Sequence, residues 1–370
     1  MAADDPRREG SRFAACLAVA RGGVMNVRYT RVCLHEFGYQ LPPVELSSTA
    51  IEERLAPVYE RLKLPAGRLE LMTGIGARRL WSPGTRPSDG AAVAGAAAIA
   101  RSGIDTGDLE CLLFTSVSRD MMEPATASFV HRTLGLPPSC LLFDVSNACL
   151  GFLDGMVILA NMLEMGQVRS GLVVAGETAE NLIDSTLHHL LTDTTLTRKT
   201  IKPLFASLTI GSGAVALVMT RSDHLDTGHY LRGGACRADT AHNDLCQGGQ
   251  NAEQGILMST DSEQLLEKGI KTAAACWASF QDCLGWDKHS IDRFFCHQVG
   301  KAHAQMLFET LQLDPARNFE TLPTLGNVGS VSAPVTMALG IEQGALMPGQ
   351  RAAVLGIGSG INALMLGIDW

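Results

Sequence analysis

The second half of this 370-residue chain replays the first. The strand-like RFFCHQ (293–298) matches CLLFTSVS (111–118), and the turn and helix of GNVGSVSAPVTMALGIEQG (326–344) match SNACLGFLDGMVILANMLEMG (146–166). AAVLGIG (352–358) then matches GLVVAGE (171–177), and INALMLGI (361–368) matches GAVALVMT (213–220). Two copies of one strand-and-helix unit imply an α/β fold with a pseudo-twofold axis. In parallel α/β sheets ligands collect where the carboxyl ends of strands meet helix starts. The loops at 118–123, 146–150, 297–303 and 326–330 are therefore expected to converge.

The intervening segments fit the same alternation. IEERLAPVYERLKL, from residue 51, has helical periodicity, Ser88–Ser102 is an Ala-rich helix, and Ala127–Leu134 and Leu150–Met165 read as helices, the last closed by Gly166. The division expected is an N-terminal half over 25–220 and a C-terminal half over 221–370. A polar stretch at about 178–206, HHLLTDTTLTRKT at its centre, interrupts the first half and reads as a lid, tunnel wall, dimer contact or solvated loop. Residues 1–24 read as a disordered extension or an upstream start, because the basic and apolar run there carries no convincing cleavage site.

Charge and cysteine usage narrow the function. The chain has 30 basic and 38 acidic side chains, a formal charge of −8, which argues against a protein that coats nucleic acid. A small anionic ligand stays open. None of the ten cysteines has C-x-x-C spacing, so no metal site is expected, and most lie in apolar runs that suit buried thiols in a reducing cytoplasm. The longest uncharged apolar run, 352–368, is broken by glycines, and no integral membrane segment is expected.

Four residues carry candidate chemistry. Cys149 follows a buried strand and opens a helix, where free N–H groups and the helix dipole favour a thiolate and so a nucleophile. His297 ends the matching strand in the second half and is suited to polarise a carbonyl or handle a proton. Asn327, in GNVGS, holds the place in the second repeat that the Cys149 turn holds in the first; its side-chain N–H groups can help form an oxyanion site. Glu123, read alone, is a solvated carboxylate before Pro124. GIGSG (356–360) leaves too little chain after it for a dinucleotide-binding unit, and no G-x-S-x-G is present, so its glycines are expected to let backbone approach the reacting centre.

Together, Cys149 in NACLGF, His297 in CHQVGKAH, Asn327 in GNVGS and the terminal GIGSGIN resemble the Cys-His-Asn set of the thiolase superfamily, in its ketoacyl-ACP synthase III-like branch. The resemblance covers about residues 26–370. GIGARRLW, TSVSRDMMEPATAS, FDVSNACLGFLDGM and FASLTIGSGAVALVM are further similar to the OleA type, which joins two fatty acyl-CoA molecules in long-chain olefin biosynthesis. The resemblance implies a duplicated, five-layered α-β-α-β-α thiolase fold and a cytoplasmic homodimer that needs no cofactor beyond its acyl-CoA substrates. It implies oxyanion donors in the backbone N–H groups of Cys149 and Ser359, and a general base, Glu123, that enters the partner subunit's site. A departure is Gly300-Lys301-Ala302 after HQV, which bears on contact with CoA phosphates.

The implied reaction is a Claisen condensation without decarboxylation, giving a 2-alkyl-3-oxo fatty acid through an acyl thioester on Cys149. Two long chains need two apolar channels, for which Met156, Met162, Met165 and the 181–205 stretch are candidate walls. Two other readings remain: a decarboxylating 3-oxoacyl-ACP synthase III-like enzyme or acyltransferase of secondary metabolism, and a non-catalytic partner that shapes a heterodimer's product channel.

Overall fold

The computed structural model describes residues 26–251 and 255–370. The expected N-terminal extension lies outside the described residues. Fifteen strands occur among them: β1 (Asn26–Arg28), β2 (Val32–Gln40), β3 (Val44–Ser47), β4 (Ala77–Leu80), β5 (Cys111–Phe114), β6 (Leu141–Asp144), β7 (Ser170–Glu177), β8 (Gly213–Arg221), β9 (Tyr230–Ala238), β10 (Cys246–Asn251), β11 (Gly255–Thr260), β12 (Arg293–Cys296), β13 (Asn318–Phe319), β14 (Arg351–Gly358) and β15 (Asn362–Asp369). The helices that matter below are α1 (Pro87–Ser102), α2 (Thr126–Leu134), α3 (Gly151–Glu164), α4 (Glu180–Thr192), α5 (Ser262–Leu284), α6 (Lys301–Leu311) and α7 (Ser332–Glu342).

Strand order displays the duplication directly. The main sheet runs β13-β12-β14-β15-β9-β2-β8-β7-β5-β6, with β1 added beside β9. Read outward from its centre, the order is the same in both directions: β2-β8-β7-β5-β6 mirrors β9-β15-β14-β12-β13. In the sheet the two halves meet on β9, where Cys33 of β2 pairs with Tyr230 and β1 pairs with Gly233, Gly234 and Ala235. Parallel pairing occurs at equivalent places, β5 with β6 and β7 in one half, β12 with β13 and β14 in the other.

Burial explains the sequence pattern of these strands. Every residue of β7 is buried, as are eight of the nine in β8, so they read as unbroken apolar runs rather than alternating ones. Alternate residues serve different layers. Val173 and Ala175 face a central core with Phe152, Met156 and Leu159 of α3 and Val335 and Met337 of α7. Leu172 and Val174 face an outer layer with Ala91, Ala94 and Ala98 of α1. In the second half, Ala353 and Leu355 of β14 face Ala273, Cys276 and Phe280 of α5. Helices α3 and α7 thus lie between the two half-sheets, while α1 and α5 cover the outside, which gives five layers.

The stretch that interrupts the first half is a solvated loop only in part, over the largely exposed 193–200. Its first part is α4, whose Ile183, Leu187 and Leu190 recur at helical spacing and pack with Ile51, Leu55, Val58, Ile201, Phe205 and Leu208. The methionine face also differs from expectation. Met156 is in the central core, Met162 packs against it, and Met165 is 73% exposed, so these three do not form one channel wall.

Candidate active site

Cys149 sits in a tight turn between β6 and α3. Ala148 just before it has φ +46°, a conformation that costs a non-glycine residue on the order of 1–3 kcal/mol and persists only where surroundings enforce it. The enforcing contacts run through Asn147. Its amide donates to Asp154 Oδ2 at 2.7 Å, and its Oδ1 accepts from Asn362 Nδ2 at 3.1 Å. Asn362 Nδ2 also donates to the Ser359 carbonyl at 3.2 Å. One polar chain therefore ties the Cys149 turn to the loop after β14. Gly358 allows those parts to close up, since a Cβ there would fall 3.0 Å from Leu150 Cγ.

Helix α3 begins at Gly151, two residues after Cys149, and the thiol's acidity departs from the expectation based on helix position. Burial pushes the Cys149 thiol up to about 12, with Cys246 and Glu177 nearby adding to the rise. The backbone N–H groups of Cys149 and Ser359 approach the sulfur and act in the opposite direction. Burial favours the protonated thiol, and the two backbone N–H groups expected as oxyanion donors lie beside the sulfur.

His297 follows β12 and is 9% exposed; its backbone N–H donates to the Leu355 carbonyl of β14 at 2.9 Å. Burial, with a smaller effect from His303, lowers its pKa to about 4, so the ring is neutral at physiological pH. A neutral imidazole can donate one N–H to a carbonyl oxygen. Nδ1 of His297 has no hydrogen-bond partner among the described residues.

Asn327 is fixed at both ends of its backbone: its N–H donates to the Thr209 carbonyl at 2.9 Å, and its carbonyl accepts from Gly211 at 2.8 Å. Its side-chain Oδ1 accepts from the Gly329 N–H at 3.0 Å. That bond assigns the oxygen to the turn and leaves the NH2 as a donor for substrate. The turn is locked to the first half by Ser330, whose hydroxyl accepts from the Phe152 N–H at 2.9 Å and donates to the Thr115 carbonyl at 2.6 Å. The Cys149 helix start and the Asn327 turn are therefore in direct contact.

Glu123 is placed differently. It lies on an exposed loop after β5, among exposed Val117, Met121 and Met122, the last 97% accessible. That loop is anchored by Asp120, which accepts from the Ser88 N–H at 2.9 Å and from its hydroxyl at 2.6 Å. The edge of β6 next to it has no strand neighbour on its outer side among the described residues.

Three features of the site have no counterpart in the sequence reading. Glu177, 5% exposed at the end of β7, accepts three backbone N–H bonds and feels its pKa raised by burial. Asp154 is half-buried, and its pKa is likewise raised by burial. A cavity of about 230 Å³ is lined by Lys63, Arg68, Arg198 and Lys202 with Ile201 and Phe205. The segment forming one wall continues into Thr209–Gly211, which holds Asn327. Only the first had a visible signal, an acidic residue ending the otherwise apolar GLVVAGE. Among the described residues, no group of three or more His, Cys, Asp or Glu side chains is arranged to hold a metal ion, and no helix is long and apolar enough to cross a membrane.

Known proteins share both the sequence and the architecture. The family described as 3-oxoacyl-(acyl-carrier-protein) synthase III matches residues 143–232, and its C-terminal domain family matches residues 282–370. The acyl-CoA:acyl-CoA alkyltransferase of Shewanella oneidensis is 40% identical over 351 residues, covering 93% of this chain and all of that protein. The protein of the same name from Xanthomonas campestris is 39% identical, covering 89% and 95%. A crystal structure of Xanthomonas campestris OleA, a glutamate-to-alanine variant, superimposes with a TM-score of 0.89 at 37% identity, covering 93% of this chain and 99% of that one. A cysteine-to-serine variant of it with bound lauric acid and lauroyl-CoA gives a TM-score of 0.88, also at 37% identity, covering 92% and 100%.

Proposed function

This chain belongs to the acyl-CoA:acyl-CoA alkyltransferase (OleA) family, in the 3-oxoacyl-ACP synthase III-like branch of the thiolase superfamily, and on that premise we propose that it condenses two long-chain fatty acyl-CoA molecules without decarboxylation. The observation that carries the reading is the contact between the Cys149 turn and the Asn327 turn, with the Ser359 N–H at the sulfur.

Cys149 attacks the first thioester carbonyl; the thiol proton leaves with CoA, and the acyl chain remains on sulfur. The N–H groups of Cys149 and Ser359 meet the oxyanion as it forms. The second acyl-CoA must lose a proton from its α-carbon, having no carboxylate to expel. Glu123 of the other subunit takes that proton, and His297 and Asn327 donate to the enolate oxygen. The carbanion attacks the Cys149-bound acyl carbon, expelling the cysteine sulfur, and hydrolysis of the remaining CoA thioester yields the 2-alkyl-3-oxo fatty acid.

A homodimer formed along β6 supports this division of labour. It would cover Val117, Met121 and Met122 and carry Glu123 from one subunit to the other. In the Xanthomonas protein the substituted glutamate and cysteine of the solved variants lie 26 residues apart, as Glu123 and Cys149 do here. For CoA phosphates, the cavity of Lys63, Arg68, Arg198 and Lys202 supplies the local basic surface that an overall charge of −8 conceals.

Incubation with myristoyl-CoA alone is expected to release free CoA thiol and a β-keto acid or its decarboxylated ketone. Absence of CoA release unless a malonyl carrier is added would overturn the proposal. Glu123→Ala should retain the acyl adduct on Cys149 by intact-mass analysis and lose condensation; a decarboxylating enzyme would tolerate that change.

A further inference from the structure

Glu177 has no part in the chemistry above, yet it stands between two segments that the chemistry needs. Its Oε1 accepts from the N–H groups of Val117 at 2.9 Å and Ser330 at 3.2 Å, and its Oε2 from Ser118 at 3.0 Å. Val117 and Ser118 open the loop that carries Glu123. Ser330 closes the turn that carries Asn327. No cation pairs with this carboxyl group among the described residues, so three backbone donors are what hold it, an arrangement matched to an anion in a buried place. Contact with the turn is tight. Gly329 has φ +53°, and a Cβ there would fall 3.0 Å from Glu177 Oε1.

We propose that Glu177 is a positioning residue that couples, through one side chain, the Asn327 turn of its own active site to the base-bearing loop delivered to the partner subunit's site. The proposal rests on Glu123 acting across the dimer. Acylation of Cys149 uses neither the enolate donors nor the base, and the charge of Glu177 only raises the Cys149 pKa, so Glu177 governs the condensation step and its removal does not slow acylation. Each Glu177 then serves two sites at once: its own through Ser330, and the neighbouring one through Val117 and Ser118.

Heterodimers from co-expressed, differently tagged subunits separate the two arms. The reference pairs Cys149→Ala with the unaltered chain, leaving one working nucleophile and all contacts of Glu177 intact. Pairing Cys149→Ala with Glu177→Gln loosens the turn in the working site. Pairing a Cys149→Ala/Glu177→Gln chain with the unaltered chain loosens only the loop that enters the working site. Both altered pairs are expected to lose about tenfold to a hundredfold in condensation turnover, the effect of a small misplacement of reacting groups. Acyl-adduct formation on Cys149 should stay within about twofold of the reference.

Loss in only one pair overturns the coupling, and equal loss of acylation and condensation reduces Glu177 to a folding role. Gly329→Ala, which crowds from the turn side the Oε1 shared by Ser330 and Val117, is expected to lower condensation in its own site and, through the loop, in the partner's site; an effect confined to its own site contradicts the coupling. A control pairs Cys149→Ala with Glu123→Ala. Condensation by that pair supports base transfer between subunits, and its absence refutes the cross-subunit reading itself, separately from the role of Glu177.

Discussion

The turn at 146–150 and the turn at 326–330 descend from one repeated unit and solve the same problem with different backbone. Each leads into a helix between the half-sheets, α3 or α7. The first holds a non-glycine residue, Ala148, at φ +46° and braces it through Asn147, Asp154 and Asn362. The second uses Gly326 at φ +67° and Gly329 at φ +53°, where no side-chain penalty arises. Strain is thus confined to the turn that presents a nucleophile. The turn that only aims an amide is relaxed. In the proposed mechanism, covalent chemistry and carbonyl polarisation are divided between the copies.

Substitutions at equivalent places test that division most strongly. Cys149→Ala is expected to remove the acyl adduct and lower turnover on the order of 10⁴-fold or more, as loss of a nucleophile does. Asn327→Ala should retain the adduct and lower condensation about 10²- to 10³-fold, the usual effect of losing one oxyanion donor. Intact mass and product analysis read both. An Asn327 variant that no longer acylates would break the contrast between the two copies.

Ionisation sharpens the same contrast. The first-half carboxyls Glu177 and Asp154 have raised pKa values, whereas His297 and His303 in the second half are lowered to about 4 by burial. For the histidines, the unfolded chain binds protons that the native state refuses. Their stabilisation is complete above an unfolded pKa of about 6.5 and is lost as pH falls toward 4. The carboxyls act with the opposite sign, since their native forms take up protons more readily than the unfolded chain. Denaturant midpoints should fall between pH 6.5 and 4.5. His303→Gln should flatten that slope by up to about 1.4 kcal/mol per pH unit. An unchanged slope would mean that His303 is charged in the folded protein.

The duplication was legible because strands buried on both faces leave continuous apolar runs; three of the four correspondences coincide with mirrored strands, and the fourth with α3 and α7. Cys149 was legible by position but not by acidity, since a sequence reveals a helix start and not how much water burial removes. The strain at Ala148 gave no signal either. Glu177 and Asp154 were missed because one polar residue at the end of a strand or inside a helix reads as solvated; Glu177 is held by partners 59, 60 and 153 residues away, and Asp154 is withdrawn from water by its surroundings. The α4 helix was obscured by its neighbours. Ile183, Leu187 and Leu190 carry helical spacing, but TDTTLTRKT beside them dominates the local composition.

The smallest effect expected separates charge from burial at two braces, one in each half. In the first half, Asp144 at the end of β6 accepts from the N–H groups of Thr126 at 2.9 Å and Ala127 at 2.8 Å, capping α2. In the second half the brace is a neutral amide. Gln298, 5% exposed just past β12, accepts from Leu322 at 3.0 Å and Thr321 at 3.4 Å with a single oxygen. The carboxylate has the better electrostatics, since it faces the positive end of a helix dipole. Yet the Asp144 carboxylate is itself only partly buried, and water can take its place at the cap. Asp144→Ala is therefore expected to cost about 1 kcal/mol, an ordinary cap effect. Gln298→Ala strands buried N–H groups and should cost about 2 kcal/mol. Urea unfolding of the two variants measures the difference; if Asp144→Ala proves the more damaging, charge at the helix start outweighs burial.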